Sequence, residues 1–116
     1  MNHELHFGLP ANAINKLRDV FGGWPQIQRV VLYGSRAKGS YRPGSDIDLT
    51  IEADALSLSQ LLALENQIDE LLLPWMVDLS LKRHIDNPAL LDHIHRVGVP
   101  FYIRQDKALP DIPTSS

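Results

Sequence analysis

The chain has 116 residues, fewer than the ~150 of an average domain, which leaves room for one domain with a core of its own. Hydrophobic residues make up 44% and charged residues 22%, ordinary globular values that exclude intrinsic disorder, collagen and coiled coil. With no cysteine, and with eleven Lys+Arg against fourteen Asp+Glu for a net charge of −3, a disulfide scaffold, a thiolate zinc site and a phosphate-gripping surface for long nucleic acid are excluded as well.

The N-terminal stretch Met1-Asn2-His3-Glu4-Leu5-His6 has neither the basic nor the apolar region of a signal peptide. No apolar run approaches the ~20 residues that span a bilayer. A cytoplasmic protein without a membrane segment is expected. Pro10 to Phe21 is predicted helical, with Ile14, Leu17, Val20 and Phe21 at helical spacing and Gly22-Gly23 as its stop. Arg29 to Tyr33 is a short apolar run ending at Gly34, the pattern of a buried strand.

From Ile47 to Ile51 the residues alternate. Ile47, Leu49 and Ile51 point one way; Asp46, Asp48, Thr50 and Glu52 point the other. Ser57 to Leu73 is the longest predicted helix, with Leu58, Leu61, Leu62, Ile68 and Leu72 as its apolar stripe and Ser57 with Gln60 as a capping box; Pro74 ends it. Met76 to Lys82 alternates again, with Val77, Leu79 and Leu81 on one face and Asp78 and Ser80 on the other. Asn87-Pro88 starts a helix carrying Leu90, Leu91, Ile94 and Val97, which Gly98 closes. Val99 to Arg104 is a last strand. The expected architecture is α/β (α+β): a mixed sheet of about four strands with helices packed on it, over residues 1–104. Residues 105–116, with Pro110 and Pro113, are expected to form a flexible C-terminal tail.

The chemistry concentrates between Gly34 and Leu49. A strand running into Gly34-Ser35 allows a ligand to approach the backbone closely, and a helical turn beyond it would offer N–H groups to an anion. Arg36, Lys38 and Arg42 place three of eleven basic residues within seven positions, which suits a polyphosphate. On a strand, Asp46 and Asp48 lie on one face about 6.6 Å apart. Carboxylates this close repel unless a cation sits between them, and Mg²⁺ prefers oxygen ligands. Asp78 brings a third carboxylate to the same surface if its strand neighbours that of Asp48, and such a cluster can hold two metal ions for phosphoryl transfer. Glu52 is a competing acid on that face.

Gly34-Ser35, ten residues, then Asp46-x-Asp48 resembles the signature of the DNA polymerase β-like nucleotidyltransferase superfamily, with Ala37, Gly39 and Ser45 also matching. The short chain is similar to its minimal nucleotidyltransferase (MNT) branch, small proteins often paired with a HEPN-domain partner in toxin–antitoxin modules. By order of elements the likeness runs from Arg29 to Arg104. The resemblance implies that Gly34 and Ser35 hold the β- and γ-phosphates. It also implies that Asp46 and Asp48 ligate metal and that Asp78 is the third acid, helping to deprotonate the acceptor. Arg36 and Ser45 complete the expected nucleotide site. The implied ligands are a nucleoside triphosphate, ATP in the first instance, and two Mg²⁺ ions.

Larger relatives carry an added helical domain for the acceptor, which the stretch after Arg104 is not expected to form. The expected activity is therefore transfer of AMP to a hydroxyl of a HEPN ribonuclease partner in a hetero-oligomer, as an antitoxin. Two alternatives are a binding module acting by contact, and a small-molecule nucleotidyltransferase whose acceptor domain is a separate chain. His84, His93 and His95 lack metal-ligand spacing on a helix and are expected at the surface or facing a partner. Trp24 and Trp75, at element boundaries, are expected to pack.

Overall fold

The computed structural model describes residues 5–104; the tail expected over 105–116 lies outside them. A hairpin of two-residue strands, β1 (Leu5–His6) and β2 (Leu9–Pro10), leads into helix α1 (Ala11–Gly22). Then follow β3 (Ile27–Tyr33), a five-residue helix α2 (Gly34–Lys38), β4 (Ile47–Ala53), α3 (Leu58–Asp69), β5 (Val77–Leu81), a single 3₁₀ turn, α4 (Pro88–Val97) and β6 (Val99–Ile103).

The main sheet has the order β5–β4–β3–β6. β3 runs antiparallel to both β4 and β6, whereas β4 and β5 are parallel, the crossover between them being α3. The sheet is mixed and four-stranded, as the sequence predicts. Its alternation holds as well: Ile47, Leu49 and Ile51 of β4, Leu79 and Leu81 of β5, and Val30 and Leu32 of β3 join Phe101 in one core. Helices α1 and α3 close that core with Ile14, Leu17, Phe21, Leu64 and Ile68. Burying so many aliphatic side chains, at ~1.5–3 kcal/mol each, is what holds the sheet against its helices.

The opposite face is only partly covered. α4 packs Ile94 on Val31 and Tyr33, with Ile85, Leu90 and Val97 around them. Asn87 caps α4 by accepting the N–H groups of Ala89 and Leu90 at 2.9 and 3.3 Å, and Pro88 needs no N–H partner in the first turn.

The structure departs from the sequence reading in three places. The hairpin before α1 carried no strand pattern; its turn uses positive φ at Phe7 and Gly8. α3 has the predicted capping box, Gln60 N–H to Ser57 Oγ at 3.1 Å and Ser57 N–H to Gln60 Oε1 at 2.9 Å, but it stops at Asp69 rather than Leu73. There the chain turns, with Leu72 at φ +55°. Its apolar stripe differs in part: Ile68 is buried as expected and Leu61 packs half-buried on the core, but Leu64 is buried too, while Leu58, Leu62 and Leu72 are exposed. Leucines at four of the seven positions from Leu58 to Leu64 make more than one stripe apolar, so spacing alone does not select the one that meets the sheet.

Candidate active site

Two strand ends and one tight turn build the site. β4 and β5 are in register as parallel neighbours, so Asp48 lies directly beside Asp78, across a spacing of about 4.8 Å between strands. Asp46 precedes β4 by one residue and is exposed, as is Asp78, while Asp48 is half-buried. β3, on the other side, aligns Tyr33 with Asp48. The chain then turns sharply at Gly34, which has φ +78°. A Cβ added there would lie 2.2 Å from Asp48 Oδ2. Only glycine fits, both by its backbone conformation and by the carboxylate that occupies the side-chain position.

Asp48 feels the crowding. Burial pushes its carboxyl above the usual carboxylate range, the neighbouring charges of Asp78 and Asp46 push it further, and His93 acts in the opposite sense. Tyr33 is raised as well, first by burial and then by Asp78 and Asp48, against a hydrogen bond with Ser80 that lowers it. Ser80 and the buried Thr50 are joined at 3.1 Å, so this face keeps its hydroxyls partnered. At the far end of the strands, burial raises Glu52, but its hydrogen bond and charge contacts with Arg29 and then Lys82 outweigh it and hold the carboxyl low. Glu52 therefore belongs to an ion pair, not to the aspartate cluster.

Among the described residues, no three of His, Asp and Glu come close enough to enclose a metal ion by themselves. The donor set nevertheless fits Mg²⁺, which is held through one or two carboxylates and completed by water and substrate phosphates rather than by an all-protein cage. The fit rests on the placement of Asp78 and Asp46 beside Asp48: their charges raise the Asp48 carboxyl, and a divalent cation would offset them.

The basic cluster divides. Lys38 and Arg42 are exposed, but Arg36 is only 2% exposed. Its guanidinium donates to the carbonyls of Ser45 at 2.9 and 3.1 Å, Pro43 at 3.1 Å and Phe7 at 2.9 Å. The rings of Tyr41 and Trp75 lie against it, and Trp75 Nε1–H donates to Pro43 O at 2.9 Å. Gly8 belongs to the same packing: a Cβ there would meet the Tyr41 ring and the Arg36 guanidinium. The side chain of Arg36 thus ties the N-terminal turn and residues 43–45 to α2. Ser45 is held in the same loop, its Oγ accepting the Arg42 N–H at 2.8 Å. Ser35 makes no side-chain hydrogen bond among the described residues, and its carbonyl caps α2 by accepting from Gly39 N–H.

His93 departs from its expected surface role. Its Nε2 accepts the Gly34 N–H at 3.2 Å, and its ring meets Tyr33 edge-on. The Gly34 amide expected to face a phosphate is thereby engaged by α4. The signal was present in the sequence: His93 falls on the stripe of Leu90, Ile94 and Val97. His84 and His95 are exposed as expected. Trp24 packs, hydrogen-bonded to Gln67.

The sequence matches the family described as polymerase beta, nucleotidyltransferase, over residues 15–107. The chain belongs to that family. This nucleotidyltransferase is similar in structure to a chain of a crystallised toxin–antitoxin with AMP-PNP, at 26% identity and a TM-score of 0.64, covering 79% of this chain and 74% of the other. A mutant of the toxin–antitoxin MntA–HpeT aligns at 28% identity and a TM-score of 0.59, over 79% of this chain and 71% of that one. A complex of tri-AMPylated HEPN toxin and MNT antitoxin from Shewanella oneidensis aligns at 22% identity and a TM-score of 0.58, over 78% and 70%, a likeness of fold. All three are chains of toxin–antitoxin complexes. No curated protein matches the chain. Among the described residues, no helix is long and apolar enough to cross a membrane.

Proposed function

We propose that the chain transfers AMP from ATP to a hydroxyl of a HEPN-domain protein and so acts as its antitoxin. The observation that carries this reading is the register pairing of Asp48 with Asp78 beside Asp46, with Gly34 packed on the Asp48 carboxylate. AMP-PNP in one similar complex and an AMPylated toxin in another support the nucleotide and the acceptor class.

Asp46, Asp48 and Asp78 would hold Mg²⁺, which when bound neutralises triphosphate charge and lowers the pKa of a coordinated hydroxyl. The Gly34 turn keeps the approach to Asp48 free of side-chain atoms, and the Ser35 hydroxyl supplies a donor for phosphate oxygens. Arg36 secures the loop of Ser45 that leads into Asp46. Asp78, on the outer strand, takes the proton from the acceptor hydroxyl. The acceptor oxygen forms a bond to the α-phosphorus, the bond from that phosphorus to the bridging oxygen breaks, and pyrophosphate leaves.

The test is transfer from α-labelled ATP with Mg²⁺, the chain being mixed with a HEPN-domain protein of its native host that co-purifies with it. Label should appear on that protein with wild type and vanish with Asp46→Asn/Asp48→Asn. Undiminished labelling by the double variant would overturn the assignment.

A further inference from the structure

The charge of this chain is unevenly placed. From Pro43 to Leu81 the sequence holds eight acidic residues and no Lys, Arg or His; all eleven Lys and Arg and the other six of the fourteen acids lie outside that span. The span comprises β4, α3 and β5. Four of its acids are accounted for by the site and its strand: Asp46, Asp48 and Asp78 in the aspartate cluster, and Glu52 in its ion pair. Glu65, Asp69 and Glu70, on the second half of α3 and just past it, form no ion pair among the described residues.

The same span exposes apolar side chains. Of six large hydrophobic residues exposed among those described, four lie here: Leu58 at 61%, Leu62 at 60%, Leu72 at 86% and Met76 at 69%. Leu58, Leu62, Glu65 and Asp69 follow one helical stripe on α3, at steps of four, three and four. That stripe borders two adjoining clefts between α3 and β5, of about 380 and 220 Å³, which share Ile68, Asp69 and Val77 as walls. β5 is an edge strand, paired only with β4 among the described residues, so its outer N–H and C=O groups have no strand partner there. Leu72 is held in the left-handed region at φ +55°, a conformation that is sterically unfavourable for a leucine. Nothing in the core gains from it, because the side chain points outward.

We propose that the α3 stripe and the free edge of β5 form the docking surface for the acceptor protein, and that the partner patch seated there is basic with apolar side chains. Charge complementarity selects this occupant: a surface with carboxylates and no cation of its own repels a second copy of itself, and a purely apolar partner would leave Glu65 and Asp69 desolvated without a counter-charge. Geometry gives the surface its purpose. Asp78 lies on the face of β5 opposite Val77 and Leu79, which line the clefts, so a partner that wraps around the β5 edge from the α3 side brings its hydroxyl to the outer side of the aspartate cluster. The inference rests on the proposed transfer reaction and adds where the acceptor binds.

The test uses the full chain with the HEPN-domain protein of its native host that co-purifies with it. Two variants are compared with wild type: Leu58→Ser/Leu62→Ser, and Glu65→Lys/Asp69→Lys/Glu70→Lys. All five positions lie outside the aspartate cluster. Each variant should weaken the complex about tenfold or more, while ATP binding to the isolated chain is unchanged. The charge variant should also flatten the salt dependence of the dissociation constant. If the lysine variant fails to fold by circular dichroism, the serine pair, at exposed positions, carries the test.

If both variants bind and are labelled like wild type, the docking surface lies elsewhere while the transfer reading stands. Weakened binding without any AMP label in wild type would uphold the surface and sink the transfer. Should wild type neither bind nor label the HEPN-domain protein, both fall. A wild-type homodimer in sedimentation that Leu58→Ser/Leu62→Ser dissociates would assign the surface to a second copy and overturn the proposal.

Discussion

Beneath α1 and α3 the sheet presents Leu32, Ile47, Leu49, Ile51 and Leu81, all essentially inaccessible; the opposite face of the same strands presents Asp48, Thr50, Glu52, Asp78 and Ser80. Neighbouring positions on one strand thus serve opposite ends. The apolar face gains free energy from every methylene it removes from water. The polar face holds carboxylates against one another, with Asp48 raised by burial and by Asp78, and gives up stability for a place to gather positive charge. The difference teaches that stability and chemistry can be altered separately here, by substitutions one residue apart.

The largest separation should appear in activity. Asp46→Asn/Asp48→Asn is expected to lower AMP transfer by at least about 10³-fold, roughly 4 kcal/mol of barrier, with the fold intact by circular dichroism. Leu49→Ala, beside Asp48 but on the other face, should do the reverse: a loss of about 3 kcal/mol in urea unfolding from the cavity it leaves, with residual transfer per folded molecule near wild type. A result in which Leu49→Ala costs activity and no stability would break the division between the faces.

Arg36→Met comes next, with an expected loss of about 2 kcal/mol, because the Phe7, Pro43 and Ser45 carbonyls lose a buried donor. Since residues 43–45 lead into Asp46, transfer should fall as well. A variant that keeps full stability but loses ATP affinity would instead make Arg36 a direct nucleotide ligand.

Asp48→Asn alone should raise the melting temperature by a few degrees in metal-free buffer at neutral pH. The sign follows from linkage: a carboxyl raised in the folded state contributes stability when protonated, and that contribution is lost as pH rises through its folded pKa. Glu52, held low by Arg29 and Lys82, works oppositely. Its contribution is present above the unfolded pKa and is lost as pH falls through the folded one. Metal-free melting temperatures of Asp48→Asn and Glu52→Gln across pH 3 to 8 would sharpen the comparison of the two ends of this face. Adding Mg²⁺ should stabilise wild type and leave Asp46→Asn/Asp48→Asn unmoved. The smallest effect belongs to the exposed Arg96–Asp92 pair, one helical turn apart; Arg96→Ala should cost no more than about 0.5 kcal/mol.

Much of this was legible in the sequence. Strict alternation from Ile47 to Ile51 and from Val77 to Leu81 identified both strands and both faces, because a strand side chain has only two directions to choose from. The Ser57–Gln60 box and Asn87-Pro88 placed two helix starts, because capping is local chemistry between residues three or fewer apart. Gly34-Ser35 and Asp46-x-Asp48 marked the candidate site for the same reason, being short and contiguous.

Tertiary structure alone decided what depends on distant partners. That Asp78 stands beside Asp48 follows from the register of two parallel strands joined through α3, which neither strand's pattern contains. That Arg36 is buried follows from three carbonyls and two rings contributed by the N-terminal turn, the loop at Pro43 and Trp75; in sequence it reads as one cation among three. His93 reaches Gly34 from 59 positions away. In α3, leucines at nearly every turn left the buried stripe open until the sheet chose Leu64 and Ile68. Local rules act through neighbouring dihedrals and side-chain periods, so a single segment displays them. Convergence acts through packing between segments, and only the assembled sheet determines which side chains meet.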